Sequence, residues 1–124
     1  MSARKEKIIL HIDTDEQYIE AVQRFSVREN IKVISAGNGQ EGLDVARDIL
    51  PDLVIIKKEA PMLDALSFSV LFKQSKRTAA IPVLVICSGV GAEEREMFID
   101  AGCSGCISDP LDTEELAEKI RKWI

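Results

Sequence analysis

Leu53-Val54-Ile55-Ile56-Lys57, preceded by Pro51-Asp52 and followed by Lys58-Glu59-Ala60-Pro61, decides the fold. Four apolar residues in a row, with no polar alternation, read as a strand buried on both faces, as in a parallel sheet covered by helices. Helical spacing flanks the run. Upstream, Leu43, Ala46 and Ile49 or Leu50 mark the inner face of a helix that Pro51-Asp52 ends. Downstream, a helix from about Ala65 to Ser75 turns Leu66, Val70 or Leu71, and Phe72 inward.

The same alternation continues in both directions. Ile8 to Ile12 is a first strand, followed by a helix from about Glu16 to Glu29 with Ile19, Val22 and Phe25 or Ser26 inward and Asn30 at its end. Ile31 to Ala36 is a second strand, and Gly37-Asn38-Gly39 a turn. Pro82 opens a fourth strand, Val83 to Cys87, and the loop Ser88-Gly89-Val90-Gly91 leads to a helix over about Ala92 to Ala101, closed by Gly102. A short fifth strand lies near Gly105 to Ser108. Asp112 caps the last helix, Glu115 follows at capping-box spacing, and Leu116, Ile120 and Trp123 form its buried stripe. Five strand–helix units without a linker predict one α/β domain over residues 1–124, a doubly wound five-stranded parallel sheet with helices on both faces. Such sheets carry their sites at the carboxyl ends of the strands, here Asp13 to Asp15, Lys57 to Glu59, Cys87-Ser88 and Asp109.

Composition narrows the function. With 46% hydrophobic and 30% charged residues over 124 positions, the chain is globular rather than disordered. A net charge of −5 gives no electrostatic footprint for nucleic acid or an anionic membrane. No apolar run approaches the ~20 residues of a transmembrane helix. Met1-Ser2-Ala3-Arg4-Lys5-Glu6-Lys7 leads into the first strand without a signal-peptide core, so a cytoplasmic location and free thiols for the three cysteines are expected.

The strand-end segments together resemble the response-regulator receiver (CheY-like) family. They are Ile9-Leu10-His11-Ile12-Asp13-Thr14-Asp15, Pro51 to Lys57 with Pro61, Ile81 to Ser88, Ala101 to Cys106, Asp109-Pro110, and Asp112 to Leu116. The resemblance implies a sheet in the order 2-1-3-4-5. It also implies a chemistry of five groups: two acids holding Mg²⁺, an aspartate accepting a phosphoryl group, and a hydroxyl and a lysine contacting the phosphate. The dication needs oxygen ligands, and the phosphoryl group needs positive charge. At the matching positions this chain retains Asp13 but has Thr14, Lys57, Cys87 and Asp109. An ammonium at 57 has no oxygen to attack phosphorus and would repel Mg²⁺. The resemblance therefore implies a degenerate pseudo-receiver without Mg²⁺ or another cofactor, and not an enzyme. The swapped charges suggest an ion pair between Lys57 and Asp109, with Asp13 as a second partner.

The family reads its state through the strand-four hydroxyl and a strand-five aromatic, positions that are Cys87 and Cys106 here. What remains is the outer surface of the fourth helix, fifth strand and fifth helix, where Arg95, Met97, Phe98, Cys106 and Glu118 are candidate contacts. The expected function is a phosphorylation-independent interaction or regulatory module of two-component (phosphorelay) signalling, working through a signalling protein or a fused output domain. It would touch neither nucleic acid nor membrane. Receivers often continue into an output domain beyond their last helix.

Two alternatives stand beside this reading. One is a working receiver with a non-standard acceptor, for which Glu59 is the nearest loop carboxylate, or with another input. The other is a small redox or nucleotide-binding flavodoxin-like protein. Cys103-Ser104-Gly105-Cys106 has C-x-x-C spacing but precedes a strand, where no helix dipole activates it. Gly37-Asn38-Gly39-Gln40-Glu41-Gly42 has G-x-G-x-x-G spacing but follows the second strand rather than the first. His11 reads as a packed strand residue without an acid–base partner.

Overall fold

The computed structural model describes residues 6–89 and 91–124, so Met1 to Lys5 and Val90 of the readings above lie outside it. The elements run β1 (Ile8–Ile12), α1 (Glu16–Arg28), β2 (Lys32–Ala36), α2 (Gly39–Ile49), β3 (Leu53–Lys57), α3 (Ala65–Gln74), β4 (Val83–Ser88), α4 (Ala92–Asp100), β5 (Gly105–Asp109) and α5 (Thr113–Trp123). The strands form one parallel sheet in the order β2-β1-β3-β4-β5. Successive side chains on a strand face opposite ways. One core layer therefore joins Leu10, Ile12, Val54, Ile56, Val83 and Val85 to α2, α3 and α4. The other joins Ile9, Leu53, Ile55, Leu84, Ile86 and Ile107 to α1 and α5.

Three helix faces differ in detail from the expected ones. On α1 the buried set is Tyr18, Val22, Phe25 and Ser26, with Ile19 only half-buried. The tyrosine ring is the largest apolar surface in the first turn, and it sets the 18-22-25 stripe. On α3 the buried face is Ala65, Phe68, Ser69 and Phe72, and Val70 points out. The Phe68 and Phe72 rings stack at 4.9 Å and outweigh the aliphatic residues. On α2 Leu50 leaves the face: it closes the helix in the left-handed region at φ 51°.

The capping box of α5 is half built. Asp112 accepts from the Glu114 and Glu115 N–H groups, at 2.9 and 3.1 Å. Glu115 turns instead to β5, accepting from the Ser108 N–H at 3.2 Å and from its hydroxyl at 3.1 Å. It thereby pins the helix to an edge strand. None of the described helices is long and apolar enough to cross a membrane.

Candidate functional site

The carboxyl ends of β1, β3 and β5 bring Asp13, Lys57 and Asp109 to the α1 side of the sheet. Asp13 is buried, and both its oxygens are engaged. Oδ2 lies 3.1 Å from His11 Nε2, and Oδ1 accepts from the Asp15 N–H at 2.9 Å. Burial opposes its ionisation. The hydrogen bonds from His11 and the Asp15 N–H, with the charges of His11 and Lys57, prevail and hold the carboxyl below its ordinary range. His11 thus has the acid partner that the sequence did not suggest.

Lys57 does not pair with Asp109, nor directly with Asp13. Its Nζ lies 3.8 Å from Asp15 Oδ2 and 4.8 Å from the centre of the Tyr18 ring. The Tyr18 hydroxyl donates to Asp109 Oδ1 at 2.8 Å, with the Ser108 carbonyl 3.1 Å away. Tyr18 therefore stands between the two residues expected to touch, offering its face to the cation and its hydroxyl to the carboxylate. Burial first, then the bond to Asp109, pushes the phenol above its usual range. Asp15 also caps α1, accepting from the Gln17 N–H at 3.0 Å. Thr14 is exposed.

Lys58 splays to the other side, where its Nζ meets Glu94 of α4 at 2.7 Å. Cys87 and Cys106 also face that side, on β4 and β5. Cys87 is buried, with its Sγ 3.9 Å from the Val85 carbonyl oxygen, and its thiol is pushed up by the neighbouring Cys106 thiol and by burial. Glu59 is exposed in the loop beyond β3.

These donors do not fit a hard dication. Asp13 is consumed by His11 and a backbone N–H, Asp15 by its cap and Lys57, and an ammonium occupies the end of β3. Mg²⁺ wants several free oxygens.

The sequence profile described as "Response regulator receiver domain" matches residues 9–121. The chain belongs to that family. It is 23% identical over 118 residues to the polar-differentiation response regulator DivK of Brucella anthropi, covering 95% of this chain and 96% of DivK. It is 27% identical over 116 residues to a probable transcriptional regulator, ycf29, of Pyropia yezoensis, covering 94% of this chain and 52% of that protein. The chain thus spans about half the length of the latter relative. Among solved structures, the chemotaxis response regulator CheY4 of Vibrio cholerae superposes with a TM-score of 0.89 at 18% identity, over 97% of this chain and all of CheY4. The receiver domain of sensor histidine kinase PA1611 from Pseudomonas aeruginosa, described with a magnesium ion in its active-site cleft, superposes at 0.83 with 16% identity, over 96% and 98%. These likenesses establish a CheY-like fold. Receiver domains are signalling modules of two-component systems.

The five positions singled out in the sequence, Asp13, Thr14, Lys57, Cys87 and Asp109, lie at or beside the strand ends. Sheet parity divides them: Cys87 faces α4, while Lys57 and Asp109 meet through Tyr18. Sequence reasoning missed Tyr18, although it is the sole tyrosine and follows the cap of α1 by three residues. It also missed Glu94, whose role shows only when α4 comes beside the loop that follows β3 and meets Lys58. On the candidate interaction surface, Arg95 and Glu118 are exposed, Met97 is 53% exposed, and Cys106 is half-buried. Phe98 is corrected: at 4% exposure it belongs to the core, and Ile99, 57% exposed, takes its place outside. Two of the three glycines of the G-x-G-x-x-G spacing, Gly39 and Gly42, have a packing cause. A Cβ on Gly39 would stand 1.8 Å from the Leu63 carbonyl oxygen, and one on Gly42 2.3 Å from Ile12 Cδ1.

Proposed function

We propose that this receiver-family chain signals without aspartyl phosphorylation and without Mg²⁺, as a non-enzymatic module that a protein partner or fused output domain recognises. One observation carries the reading: the end of β3, where the family resemblance puts the phosphoacceptor, is Lys57, engaged with Asp15 and Tyr18. The Asp15–Lys57–Tyr18–Asp109 chain of contacts supplies charge balance where a phosphorylated receiver would need a phosphate and a metal. Lys57 is a fixed cation at the place of a switchable anion, so the partner would meet one constant state.

The test is incubation with acetyl phosphate and Mg²⁺, read by intact mass and, if an adduct forms, by peptide mapping. The expected result is no phosphoryl adduct. A stable adduct on any carboxylate, Glu59 included, overturns the proposal and favours a working receiver with a non-standard acceptor.

A further inference from the structure

Of the five helices, α4 is held to the body by the fewest side chains. Only Phe98 is buried along Ala92–Asp100, and its neighbours Met97 and Ile99 are 53% and 57% exposed. On the α3 flank a groove of about 390 Å³ separates the two helices, with Leu66, Met97 and Phe98 as its apolar lining. Leu66 is half-buried, and Val70, an exposed residue, follows it by one turn on the same flank of α3. The helices come together at their lower ends, where a Cβ on Gly102 would stand 2.5 Å from Lys73 Cγ. The upper end is charged. Glu59, Asp64, Glu93 and Glu94 surround it with one cation, Lys58, whose ammonium is engaged by Glu94 at 2.7 Å. The N-termini of α3 and α4 each add about half a positive charge, so the rim stays negative. Glu59 and Glu93 are exposed and have no ion-pair partner among the described residues.

We propose that this α3–α4 groove docks an amphipathic helix of a partner protein, one whose apolar stripe carries lysine or arginine at one end. Helix-in-groove recognition needs an apolar floor that accepts side chains three and four residues apart. Leu66, Val70 and Met97 supply it, and a methionine side chain adapts to what it meets. Charge selects the occupant. An acidic helix would set carboxylates against Glu59 and Glu93, whereas a basic one pairs them. All four carboxylates lie at the upper end, and Lys73 stands at the lower one with its Nζ donating to the Ala79 and Ile81 carbonyls. The occupant's cations therefore gather at one end of its stripe. This inference rests on the reading of the chain as a module that a protein recognises, and it names the docking chemistry of that protein. Phosphorylation does not enter it. Lys57 is on the α1 side of the sheet, engaged with Asp15 and Tyr18, so the acetyl phosphate result and the docking result can fail separately.

The probe is a fluorescein-labelled peptide of about 18 residues, long enough to hold a helix, with leucines along one stripe and lysines clustered at one end. Its controls are the same peptide with glutamate for lysine, and a scrambled peptide of the same composition. Fluorescence anisotropy should show the full chain binding the first peptide and neither control, more weakly as salt rises. Methyl NMR should place the contact at Met97. Glu59→Gln with Glu93→Gln touches neither the core nor the Asp64 cap and should weaken binding roughly fivefold. Met97→Ala should weaken it by roughly as much or more. Ile99→Ala, on the α5 flank of α4, should bind as the parent does. No binding, equal binding of either control, or a loss on Ile99→Ala with none on Met97→Ala overturns the proposal. Self-association of the chain that Met97→Ala abolishes, seen by sedimentation, also overturns it, by making a second copy the occupant.

Discussion

At the residue scale, Tyr18 and Asp13 hold the strand ends together by different physics, and each can be tested separately. Tyr18→Phe keeps the ring under Lys57 and removes only the donor to Asp109. We expect a loss of about 1.5 kcal/mol in urea denaturation, typical of a hydrogen bond to a charged group. Tyr18→Leu should lose a further ~0.5–1 kcal/mol by removing the cation–π contact. Combining it with Lys57→Met should be less than additive if the two side chains interact. For Asp13 the folded-state pKa lies below the ordinary value of 3.8. Its contribution is present above that value and is lost as pH falls through the folded-state pKa. Asp13→Asn should therefore flatten the acid limb of stability against pH, measured by chemical denaturation from pH 7 down to about pH 3. An unchanged slope would remove Asp13 as its source. The residue types at these positions were legible in the sequence, because strand ends are easy to place. Their partners were not. Lys57 has Asp13, Asp15 and Asp109 within sequence-level reach, and only the Tyr18 ring packed between β3 and β5 decides among them.

At the element scale, legibility followed the period of the pattern. The strands emerged within a residue or two because buried parallel strands are apolar throughout, and Pro, Gly and Asp punctuate their ends. Helix rotation was harder to read. On α1 and α3 an aromatic residue displaced the aliphatic stripe by one position, since the larger ring gains more from burial. The glycines in and just before α2 make the same point. Gly37 has nothing within 4 Å of an added Cβ, Gly39 meets backbone, and Gly42 meets the end of the Ile12 side chain. Gly37→Ala should thus change stability by less than about 0.5 kcal/mol. Gly42→Ala should cost about 1–3 kcal/mol, because a side chain can yield. Gly39→Ala should cost more, because the Leu63 carbonyl cannot move without shifting the loop that precedes α3. Thermal denaturation of the three variants checks the order, and equal losses would contradict the packing account.

At the scale of the whole molecule, the question is why a net charge of −5 tolerates three aspartates at the mouth of one sheet. Asp13, Asp15 and Asp109 sit at the ends of β1 and β5, and Lys57 rises between them from the central strand. On the proposed reading, one ammonium does what a dication would do in an all-acid cleft. It neutralises without requiring a ligand from solution. Lys57→Asp tests this exchange. The substitution makes the chain two charges more negative and places a fourth carboxylate in the cluster. The apo variant should be less stable than the parent, most clearly at low ionic strength, where like charges are least screened. It should also acquire a free set of carboxylate oxygens, so Mg²⁺ should raise its melting temperature. At tenfold excess over the dissociation constant the gain would be about 1.4 kcal/mol. The parent, with its ammonium in place, should show no such shift. Asp109 still opposes phosphate in the variant, so Lys57→Asp alone should remain unmodified by acetyl phosphate even when it binds the metal. If Mg²⁺ stabilises parent and variant equally, Lys57 does not stand in for the cation, and the charge balance of the sheet end must be sought elsewhere.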